Sequence, residues 1–543
     1  MMRTLDLEPV KSAGGDCFDD VIVTLDGWFR RGYKLMYAEA LKFEFAPPDS
    51  APTLGARMRT GLDGSLRLLE RFHGYSIRVI RNPDPEEGLS LIREQLSRGH
   101  PVGLNLDTYY SPWDPNYQFA HYFTHVMLVT GLDPVTEDLT VVDPFFVKKN
   151  MTILREHYAA GLLGFMTVEP ADGDMPEPGE VIPRLAHYLR EHLASSLDGF
   201  REFAEAIRSV RFADEAEGHP NFMSSPMYMR LNSLVTARFN YAGMLEYAAE
   251  RFSLPGLAAC ADDLRQLGNR WSTVRAVTAK LSFMPPERLD ETMRRSLSDK
   301  IAGAGEAEER AVLRILGVLE GVLEGVLEGV LEHEPDRERV WGFDSPGSGR
   351  VPVDPAAGAG EEKRRIVHVD IRDFCDVRGI DNGLGTADAD SDGHCYCAED
   401  LPPDGVLRVG DVSFAFPAAD GGACDNISCY RQEIPLPPDR YRGLAVLACS
   451  QFGSSADSFV VEYEDGGREE VRLAFADWWS RTPCEREKIA WTANLIRNKK
   501  GKLENLVHLF ADEAPLVRNG SKATRLILPG MPNLHVYGVS LWT

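Results

Sequence analysis

The chain has 543 residues, of which 43% are hydrophobic and 26% are charged, as expected for a folded protein of about three domains and not for a disordered chain. Its 83 acidic and 59 basic residues give a formal net charge of −24, which disfavours binding to nucleic acid or to an anionic membrane surface. No stretch approaches about 18 uninterrupted apolar residues and no signal-peptide pattern opens the sequence, so we expect a cytoplasmic protein without a membrane span.

Residues 1–172 are predicted to form an α+β domain. Apolar residues recur at helical spacing from Phe18 to Phe29, with Asp16 as the expected N-cap and Gly32 as the expected end of this helix. A second helix is predicted near 88–98. Apolar segments at 102–106, 126–130 and 139–142 predict strands, and the polar turn between the last two predicts an antiparallel hairpin.

Two further domains and their linkers are predicted from changes in pattern. A Pro/Gly/acid-rich linker at 169–183 precedes a helical domain at 184–334, which ends in four Gly-Val-Leu-Glu repeats. We interpret the repeats as a spacer, because each glycine weakens a helix by roughly 1 kcal/mol. A second linker at 335–363 is expected to separate two independently folding units. Short strands dominate 364–543 and predict a β-sandwich or jelly roll.

Cys17 is the candidate nucleophile, because it opens the first predicted helix. Backbone N–H groups and the positive end of the helix dipole favour a thiolate there and are also suited to bind an oxyanion. Asp16, Asp19 and Asp20 oppose this effect by repelling a thiolate. The site therefore needs a cationic partner. The nine cysteines of the chain include no C-x-x-C pair, and we expect free thiols in a reducing compartment.

His125 and Asp143 are the candidate partners of Cys17. His125 opens one strand of the predicted hairpin, and Asp143 ends the other, so the turn brings them near each other. A cysteine on a helix with a histidine and a carboxylate on strands is the arrangement of papain-like catalysis. His121 is the alternative base, and His73 is a weaker one.

The segment 103–146 carries a family resemblance, through Leu106–Trp113 (LDTYYSPW), His121 to His125, 125–131 (HVMLVTG) and 142–144 (VDP). It is similar to the N-terminal domain of the butirosin biosynthesis protein H family, which is related in fold to papain-like peptidases that process bacteriocins. Asp16–Asp20 (DCFDD) matches the position of the family's nucleophile. The resemblance covers about residues 10–330 and includes a helical region after the cysteine domain.

The resemblance implies acyl transfer without a required cofactor. The donor would be an acyl or peptidyl carrier protein that bears phosphopantetheine, and the acceptor would be an amine of a natural product. By position, Cys17 would take the acyl group, His125 would be the base and Asp143 would orient it. The aromatic residues Tyr109, Tyr110 and Trp113 would wall the acceptor site.

One departure concerns the oxyanion hole. Papain-like peptidases carry a glutamine shortly before the cysteine, and this sequence has none. Backbone N–H groups, Asn105 or Tyr109 would replace it. This weakens the main alternative, a cysteine peptidase or amide hydrolase, because an amide is harder to attack than a thioester. The other alternative is a non-catalytic scaffold that binds a glycan or a peptide. An acidic carrier protein would need a basic rim, for which Arg30, Arg31 and Lys34 are the nearest candidates.

The C-terminal region contains a possible calcium loop. Asp388, Asp390, Asp392 and Glu399 fit the spacing D-x-D-x-D-G-x5-E, although the flanking segments are not helical. An acidic turn without metal is the alternative, and we favour it. Cys395 and Cys397 beside His394 are weak evidence for a metal.

Residues 366–543 carry a second resemblance, through 392–401, 425–427, 465–466, 476–479 (ADWW) and 535–539 (HVYGV). They are similar to the jelly-roll modules appended to bacterial glycoside hydrolases, which implies carbohydrate binding or a structural appendage. Trp478, Trp479 and Trp491 would either stack on a sugar or fill the core, and we favour the core.

Overall fold

The computed structural model describes residues 4–12, 16–119, 121, 124–171, 177–219, 222–284, 286–331, 364–381, 385–390, 393–402, 404–416, 423–497 and 501–543. The chain forms an N-terminal α+β region, a central helical region and a C-terminal β-sandwich, so the predicted fold class is confirmed. Within the described residues, no helix combines the length and apolar character needed to cross a membrane.

The N-terminal region is built around one antiparallel sheet. Its helices and strands are α1 (Cys17–Phe29), β1 (Phe43–Phe45), α2 (Leu54–Arg57), β2 (Met58–Thr60), α3 (Ser65–His73), β3 (Tyr75–Arg81), α4 (Pro85–Ser97), β4 (Val102–Asp107), β5 (Thr124–Leu132), β6 (Leu139–Asp143), β7 (Lys148–Ile153), α5 (Arg155–Gly161) and β8 (Leu162–Pro170). The sheet has the order β3-β8-β4-β5-β6-β7, and β1 pairs separately with β2.

The two faces of this sheet are covered by different helices. Leu128 of β5 packs in the same buried cluster as Val21 of α1, whereas Met127 belongs to the cluster of Leu89 in α4. This alternation is the two-residue period of a strand that is buried on both faces. Helix α1 therefore lies against one face, and its first residue is Cys17.

The predicted hairpin is confirmed. Leu128 of β5 lies opposite Val142 of β6, and the antiparallel register brings His125 alongside the chain that follows Asp143. The end of α1 differs from the expectation, because the helix stops at Phe29 and not at Gly32. Arg30 takes the left-handed conformation with φ of 57°, and its N–H caps the helix on the carbonyl of Asp26.

The central region contains the helices α6 (Pro178–Ala206), α7 (Phe212–Ala216), α8 (Pro226–Arg251), α9 (Pro255–Phe283) and α10 (Glu291–Leu331). Helix α10 runs through the Gly-Val-Leu-Glu repeats to Leu331, so their interpretation as a spacer is wrong. Leu319 is fully buried, whereas a side chain at Gly317 or Gly321 would meet nothing within 4 Å. Burial of the apolar stripe outweighs the low helix propensity of the glycines.

The C-terminal region is a β-sandwich. Its strands are β9 (Ile366–Val369), β10 (Ile380–Asp381), β11 (His394–Cys397), β12 (Val406–Val409), β13 (Val412–Ala415), β14 (Ile427–Tyr430), β15 (Glu433–Asp439), β16 (Gly443–Ser450), β17 (Ser455–Tyr463), β18 (Arg468–Phe475), β19 (Lys488–Arg497), β20 (Gly501–Pro515), β21 (Ala523–Ile527) and β22 (Gly530–Trp542). One sheet has the order β10-β11-β19-β20-β16-β22-β14 with β9 beside β22, and the other has the order β15-β21-β17-β18.

The sandwich packs against the helical region. Phe283 of α9 stacks on Phe452 with ring centroids 5.3 Å apart, and the buried Lys280 Nζ lies 3.3 Å from Gln451 Oε1. Lys300 of α10 forms an ion pair with Asp457 at 2.8 Å. The predicted linker at 335–363 lies outside the described residues, and independent folding of the two regions that it connects stays a prediction.

Candidate active site

Cys17 is the first residue of α1, and Asp16 caps the helix as predicted. The Asp16 carboxylate accepts hydrogen bonds from the N–H groups of Phe18 (3.0 Å) and Asp19 (3.2 Å). The same N–H groups were expected to stabilise a thiolate or an oxyanion, and the cap occupies them. Within the described residues no acceptor is found for the N–H of Cys17, which leaves this group as the free donor at the helix start.

His125 and Asp143 form a buried pair beside Cys17. His125 Nε2 lies 2.8 Å from Asp143 Oδ2, and the exposed fractions of these two residues are 5% and 0%. The Cys17 side chain lies close enough to the imidazole to contribute to raising the pKa of His125. Because Asp143 occupies Nε2, Nδ1 is the nitrogen that is left for the thiol. The structure thus brings together the three residues predicted to carry catalysis.

Asp143 is fixed by more groups than the sequence indicated. Its Oδ2 also accepts a 2.6 Å hydrogen bond from Trp113 Nε1, and its Oδ1 accepts from the N–H groups of Phe145 (3.1 Å) and Phe146 (3.3 Å). A carboxylate held by four donors cannot rotate away from His125 without breaking several hydrogen bonds. Trp113, which was expected to line an acceptor site, supports Asp143 through its indole N–H.

The charges of the pair follow from these contacts. Burial lowers the pKa of His125, but the adjacent Asp143 carboxylate and the nearby Cys17 side chain outweigh burial and hold the pKa well above its usual value. Burial raises the pKa of Asp143, but His125 and Trp113 outweigh it and bring the pKa below its usual value. The pair is therefore ionic at neutral pH, and the imidazolium is the cation that a Cys17 thiolate needs.

Two aromatic rings contact His125, and a lysine packs on one of them. The rings of Phe145 and Phe146 meet its imidazole edge to face, with centroids 5.7 Å and 5.6 Å away. Lys11 Nζ lies 3.8 Å from the centroid of Phe145 and donates to Asp20 Oδ2 at 2.8 Å. These residues were missed by the sequence analysis. The position of the two phenylalanines directly after Asp143-Pro144 was the only available signal.

The acidic residues beside Cys17 repel a thiolate less than the sequence suggested. Lys11 and the Ser12 N–H and hydroxyl neutralise and bind the Asp20 carboxylate. Burial, followed by the charge of Asp16, raises the pKa of Asp19 to about 7. Asp19 therefore carries much less than a full negative charge near neutrality.

The two alternative bases are placed differently. His121 Nδ1 lies 2.8 Å from Asp107 Oδ2, its side chain is 60% exposed, and its ring stacks on Tyr109 at 4.1 Å. His73 is buried, where Nε2 accepts from the N–H of Leu35 and Nδ1 contacts the carbonyl of Arg31. Burial lowers the pKa of His73 to about 4, so this residue is a neutral structural group.

The other residues predicted to bind substrate lie on β4 or in the short 3-10 helix that follows it. Tyr110 packs against Gly161 and belongs with the partly buried residues on the α4 side. Tyr109 is half-buried beside His121. Asn105 lies on β4 opposite Val126, and its buried Oδ1 has no hydrogen-bond partner in the described part of the chain. Their roles toward a substrate stay predictions.

The predicted basic rim is partly engaged within the protein. Arg30 is exposed and caps α1 only through its backbone N–H, whereas the Arg31 side chain donates to the carbonyl of Gly74 at 3.2 Å. Lys34 lies over the ring of Tyr33, and burial lowers its pKa. Docking of a carrier protein on this rim stays a prediction.

In the C-terminal region, the acidic loop binds its own backbone. Asp388 accepts from the N–H of Gly393, and Asp390 contacts both the N–H and the Nδ1 of His394. Asp392 lies outside the described residues, and Glu399 lies in a short 3-10 helix. Within the described residues, no group of three or more His, Cys, Asp or Glu is arranged to hold a metal, and the calcium site stays a prediction.

The tryptophans of this region belong to its interior. Trp478 and Trp491 are 1% and 7% exposed and lie in one buried cluster with Tyr396, as the core interpretation predicted. Trp479 packs against that cluster and meets His394 edge to face. Stacking of the first two on a sugar ring would require them to leave this cluster.

Comparison with known proteins identifies two families. Residues 33–144, which include His125 and Asp143 but not Cys17, match the family described as butirosin biosynthesis protein H, N-terminal. Residues 369–543 match the family described as AziU2-like beta-sandwich domain. This match covers the region that was predicted to be a β-sandwich. No curated protein sequence matches the chain.

Among solved structures, the arabinosyltransferase EmbB from Mycobacterium smegmatis aligns at 12% identity, with 65% of this chain and 43% of that protein covered. The TM-score of 0.09 is too low for this alignment to carry any argument. The family matches are informative, because one lies within the N-terminal α+β region and the other spans the C-terminal sandwich. The chain thus contains a domain of the butirosin biosynthesis protein H N-terminal family and, after the helical region, an AziU2-like β-sandwich domain.

Proposed function

We propose that this protein is a cysteine-dependent acyltransferase of natural-product biosynthesis. It would move an acyl, aminoacyl or peptidyl group from a carrier-protein thioester to an amine through an acyl-Cys17 intermediate. The observation that carries the proposal is the buried His125, which is hydrogen-bonded to Asp143 and lies beside the Cys17 side chain. The family domain around His125 and Asp143 supports a role in the biosynthesis of a natural product.

The first half-reaction acylates Cys17. The thiolate attacks the thioester carbonyl and forms a tetrahedral oxyanion, which collapses as the bond between carbon and the pantetheine sulfur breaks. His125, which enters the step as an imidazolium, gives its proton to the leaving sulfur. The products of the step are a free carrier thiol, neutral His125 and acyl-Cys17.

The second half-reaction uses the same groups in reverse. The amine attacks the acyl-Cys17 carbonyl, and neutral His125 takes a proton from the amine nitrogen. The bond between carbon and Cys17 sulfur then breaks, which releases the amide and restores the thiolate–imidazolium pair. Asp143 keeps the imidazole in one orientation and stabilises its charged form in both steps.

The N–H of Cys17 is the proposed donor to the oxyanion. It is the amide at the start of α1 that the Asp16 cap leaves free within the described residues. One donor at a helix start stabilises an anion less than the two-donor hole of a peptidase does. A thioester demands less of such a hole than an amide, so the arrangement favours acyl transfer over proteolysis.

The partition of acyl-Cys17 between water and an amine tests the proposal. Acyl-N-acetylcysteamine is supplied as a carrier-free donor, and the adduct is followed by mass spectrometry of the intact protein and its peptides. We expect an adduct on Cys17 that decays slowly in buffer and faster when amines are added. Cys17→Ala should form no adduct, and Cys424→Ala should behave as wild type because Cys424 lies far along the chain on the exposed surface of the sandwich.

Each alternative predicts a different outcome of this experiment. Rapid decay in water that no amine accelerates would indicate the hydrolase. Absence of an adduct with every thioester tried would indicate a non-catalytic protein.

A further inference from the structure

One carboxyl oxygen connects the helical region to the start of the nucleophile helix. Asp19 Oδ2 accepts a 2.9 Å hydrogen bond from Asn240 Nδ2 of α8 and a 3.2 Å hydrogen bond from the backbone N–H of Asp16. Asp16 is the residue immediately before Cys17. The contact therefore joins residues 221 positions apart in sequence at the base of the nucleophile.

The second oxygen of Asp19 is also held. Tyr37, in the short 3-10 helix after α1, donates its hydroxyl to Asp19 Oδ1 at 2.6 Å. Asp19, Tyr37 and Asn240 are 4%, 1% and 4% exposed, so water does not compete for these hydrogen bonds. Removing one partner of such a buried hydrogen bond leaves the other unsatisfied, which is costly, so the arrangement is strongly preferred.

Helix α8 is itself fixed against the N-terminal region. The fully buried Arg238, two residues before Asn240, donates to the carbonyl of Leu41 at 3.3 Å and pairs with Glu308 of α10. Nearby, Phe43 and Phe200 stack at 4.3 Å between β1 and α6. Asn240 therefore stands on a rigid base and presents its amide to Asp19 at a set position.

We propose that Asp19 is a positioning residue, through which Asn240 and Tyr37 fix the start of α1 and hence the Cys17 thiol. The helical region is then part of the unit that prepares the nucleophile, and not merely a cover over the site. The proposal concerns the thiol itself and does not depend on which acyl group is transferred or on whether acyl transfer occurs.

The amide of Asn240 and the N–H of Asp16 share one oxygen of Asp19. Without the Asn240 amide, the buried Asp19 carboxyl has one donor fewer and turns toward Tyr37, which holds its other oxygen. Its hydrogen bond with the Asp16 N–H then lengthens, and the capping box that sets the first turn of α1 loosens. Displacements of about 1 Å between reacting groups are enough to lower a rate by about two orders of magnitude, so the Cys17–His125 contact is sensitive to this change.

The test measures carbamidomethylation of Cys17 by iodoacetamide in the full chain, by peptide mass spectrometry, from pH 5 to pH 9. We expect Asn240→Leu to slow the reaction about tenfold at pH 7 and to shift its pH profile, with a smaller effect of the same kind in Tyr37→Phe. The matched control is Thr278→Val, which removes a buried hydroxyl of α9 that bonds only within its own helix. It should change the melting temperature but leave the rate and profile at Cys17 unchanged.

The exchange variant Asp19→Asn/Asn240→Asp distinguishes a change in the position of Cys17 from a general loss of protein stability. It restores an amide–carboxyl hydrogen bond across the same interface with the groups reversed, so we expect it to recover part of the rate that Asn240→Leu loses. Wild-type reactivity of Cys17 in folded Asn240→Leu would overturn the proposal. If that variant does not fold, wild-type reactivity in Tyr37→Phe would overturn it equally. Since iodoacetamide needs no acyl donor, failure of acyl transfer would leave this result unaffected.

Discussion

The N-terminal region contains two histidine–aspartate pairs of the same length, and their surroundings differ. His125–Asp143 and His121–Asp107 both have N–O distances of 2.8 Å. The side chains of the first pair are 6% and 0% exposed, whereas those of the second are 60% and 19% exposed. The two pairs therefore have the same length and differ in burial and in their neighbours, and our choice of His125–Asp143 as the candidate pair depends on that difference.

The two pairs lie close together in the sheet, which makes them matched controls for each other. Asp107 is paired with Thr124 across β4 and β5, and the next residue, His125, is paired with Leu106. Only the buried pair contacts Cys17 within the described residues. In the exposed pair, solvent screens the charges, and such pairs typically contribute less than about 1 kcal/mol.

The largest expected difference is between the two histidines. His125→Ala removes the imidazolium that stabilises the Cys17 thiolate and gives its proton to the leaving sulfur. We expect this variant to slow acylation by acyl-N-acetylcysteamine by about three orders of magnitude. His121→Ala should change the rate by less than about threefold, because the exposed imidazole has no contact with Cys17. Both acylation rates are measured by mass spectrometry of the adduct in samples quenched at successive times. Equal losses in the two variants would remove the distinction drawn between the pairs.

The second difference is between the two aspartates. Asp143→Asn keeps the shape of the side chain but removes the charge that holds His125 as an imidazolium. The new amide NH2 group also faces N–H groups that donate to the carboxylate in the wild type. We expect about a hundredfold loss in the acylation rate. Asp107→Asn should stay within about threefold of wild type. A wild-type rate in Asp143→Asn would mean that the carboxylate neither orients nor charges His125.

A smaller effect is expected at Trp113. Trp113→Phe keeps an aromatic ring but deletes one of the donors that hold Asp143, so we expect a threefold to tenfold loss in the acylation rate with little change in apparent affinity for the donor. The control is Trp491→Phe, which deletes an indole N–H that donates to the carbonyl of Asp400 in the sandwich. If Trp113→Phe raised the donor concentration needed for half-maximal rate and left the maximal rate unchanged, Trp113 would belong to the substrate site.

The smallest effect concerns stability and pH. The folded protein holds a proton on Asp19 up to its pKa of about 7, whereas an unfolded aspartate loses it near pH 4. Between these values the unfolded state binds fewer protons, so this group makes the free energy of unfolding fall as pH rises. Asp19→Asn lacks this contribution, and we expect it to lose less stability than wild type between pH 5 and pH 8 in urea titrations. An unchanged pH dependence would mean that Asp19 ionises normally.

Local sequence signals predicted the catalytic candidates because each lies at the start or end of a strongly patterned element. The cap at Asp16 and the hairpin register around Leu128 and Val142 followed from spacing alone. The supporting contacts could not be predicted in this way. Asn240 reaches Asp19 from 221 residues away, and no single-sequence pattern indicates such a contact.

Contacts with distant elements also decide what local patterns leave out. The Gly-Val-Leu-Glu repeats were interpreted as a spacer from local propensity, and tertiary burial of residues such as Ile315 and Leu319 overrides that propensity. Trp113 was assigned to a substrate site from its aromatic neighbourhood, which stays a prediction, and no local sequence signal indicated that its indole N–H is bonded to Asp143, thirty residues away. In both cases the deciding interaction is made with another element of the fold.

Competitive labelling of the thiols tests most directly the claim that His125 and Asp143 activate Cys17. The reference is Cys424, which is exposed but whose pKa is raised by its partial burial and by Asp425. With limiting iodoacetamide at pH 6, we expect half-buried Cys17 to be labelled before Cys424, and we expect this preference to disappear in His125→Ala. Labelling of Cys424 ahead of Cys17 in the wild type at pH 6 would contradict the claim.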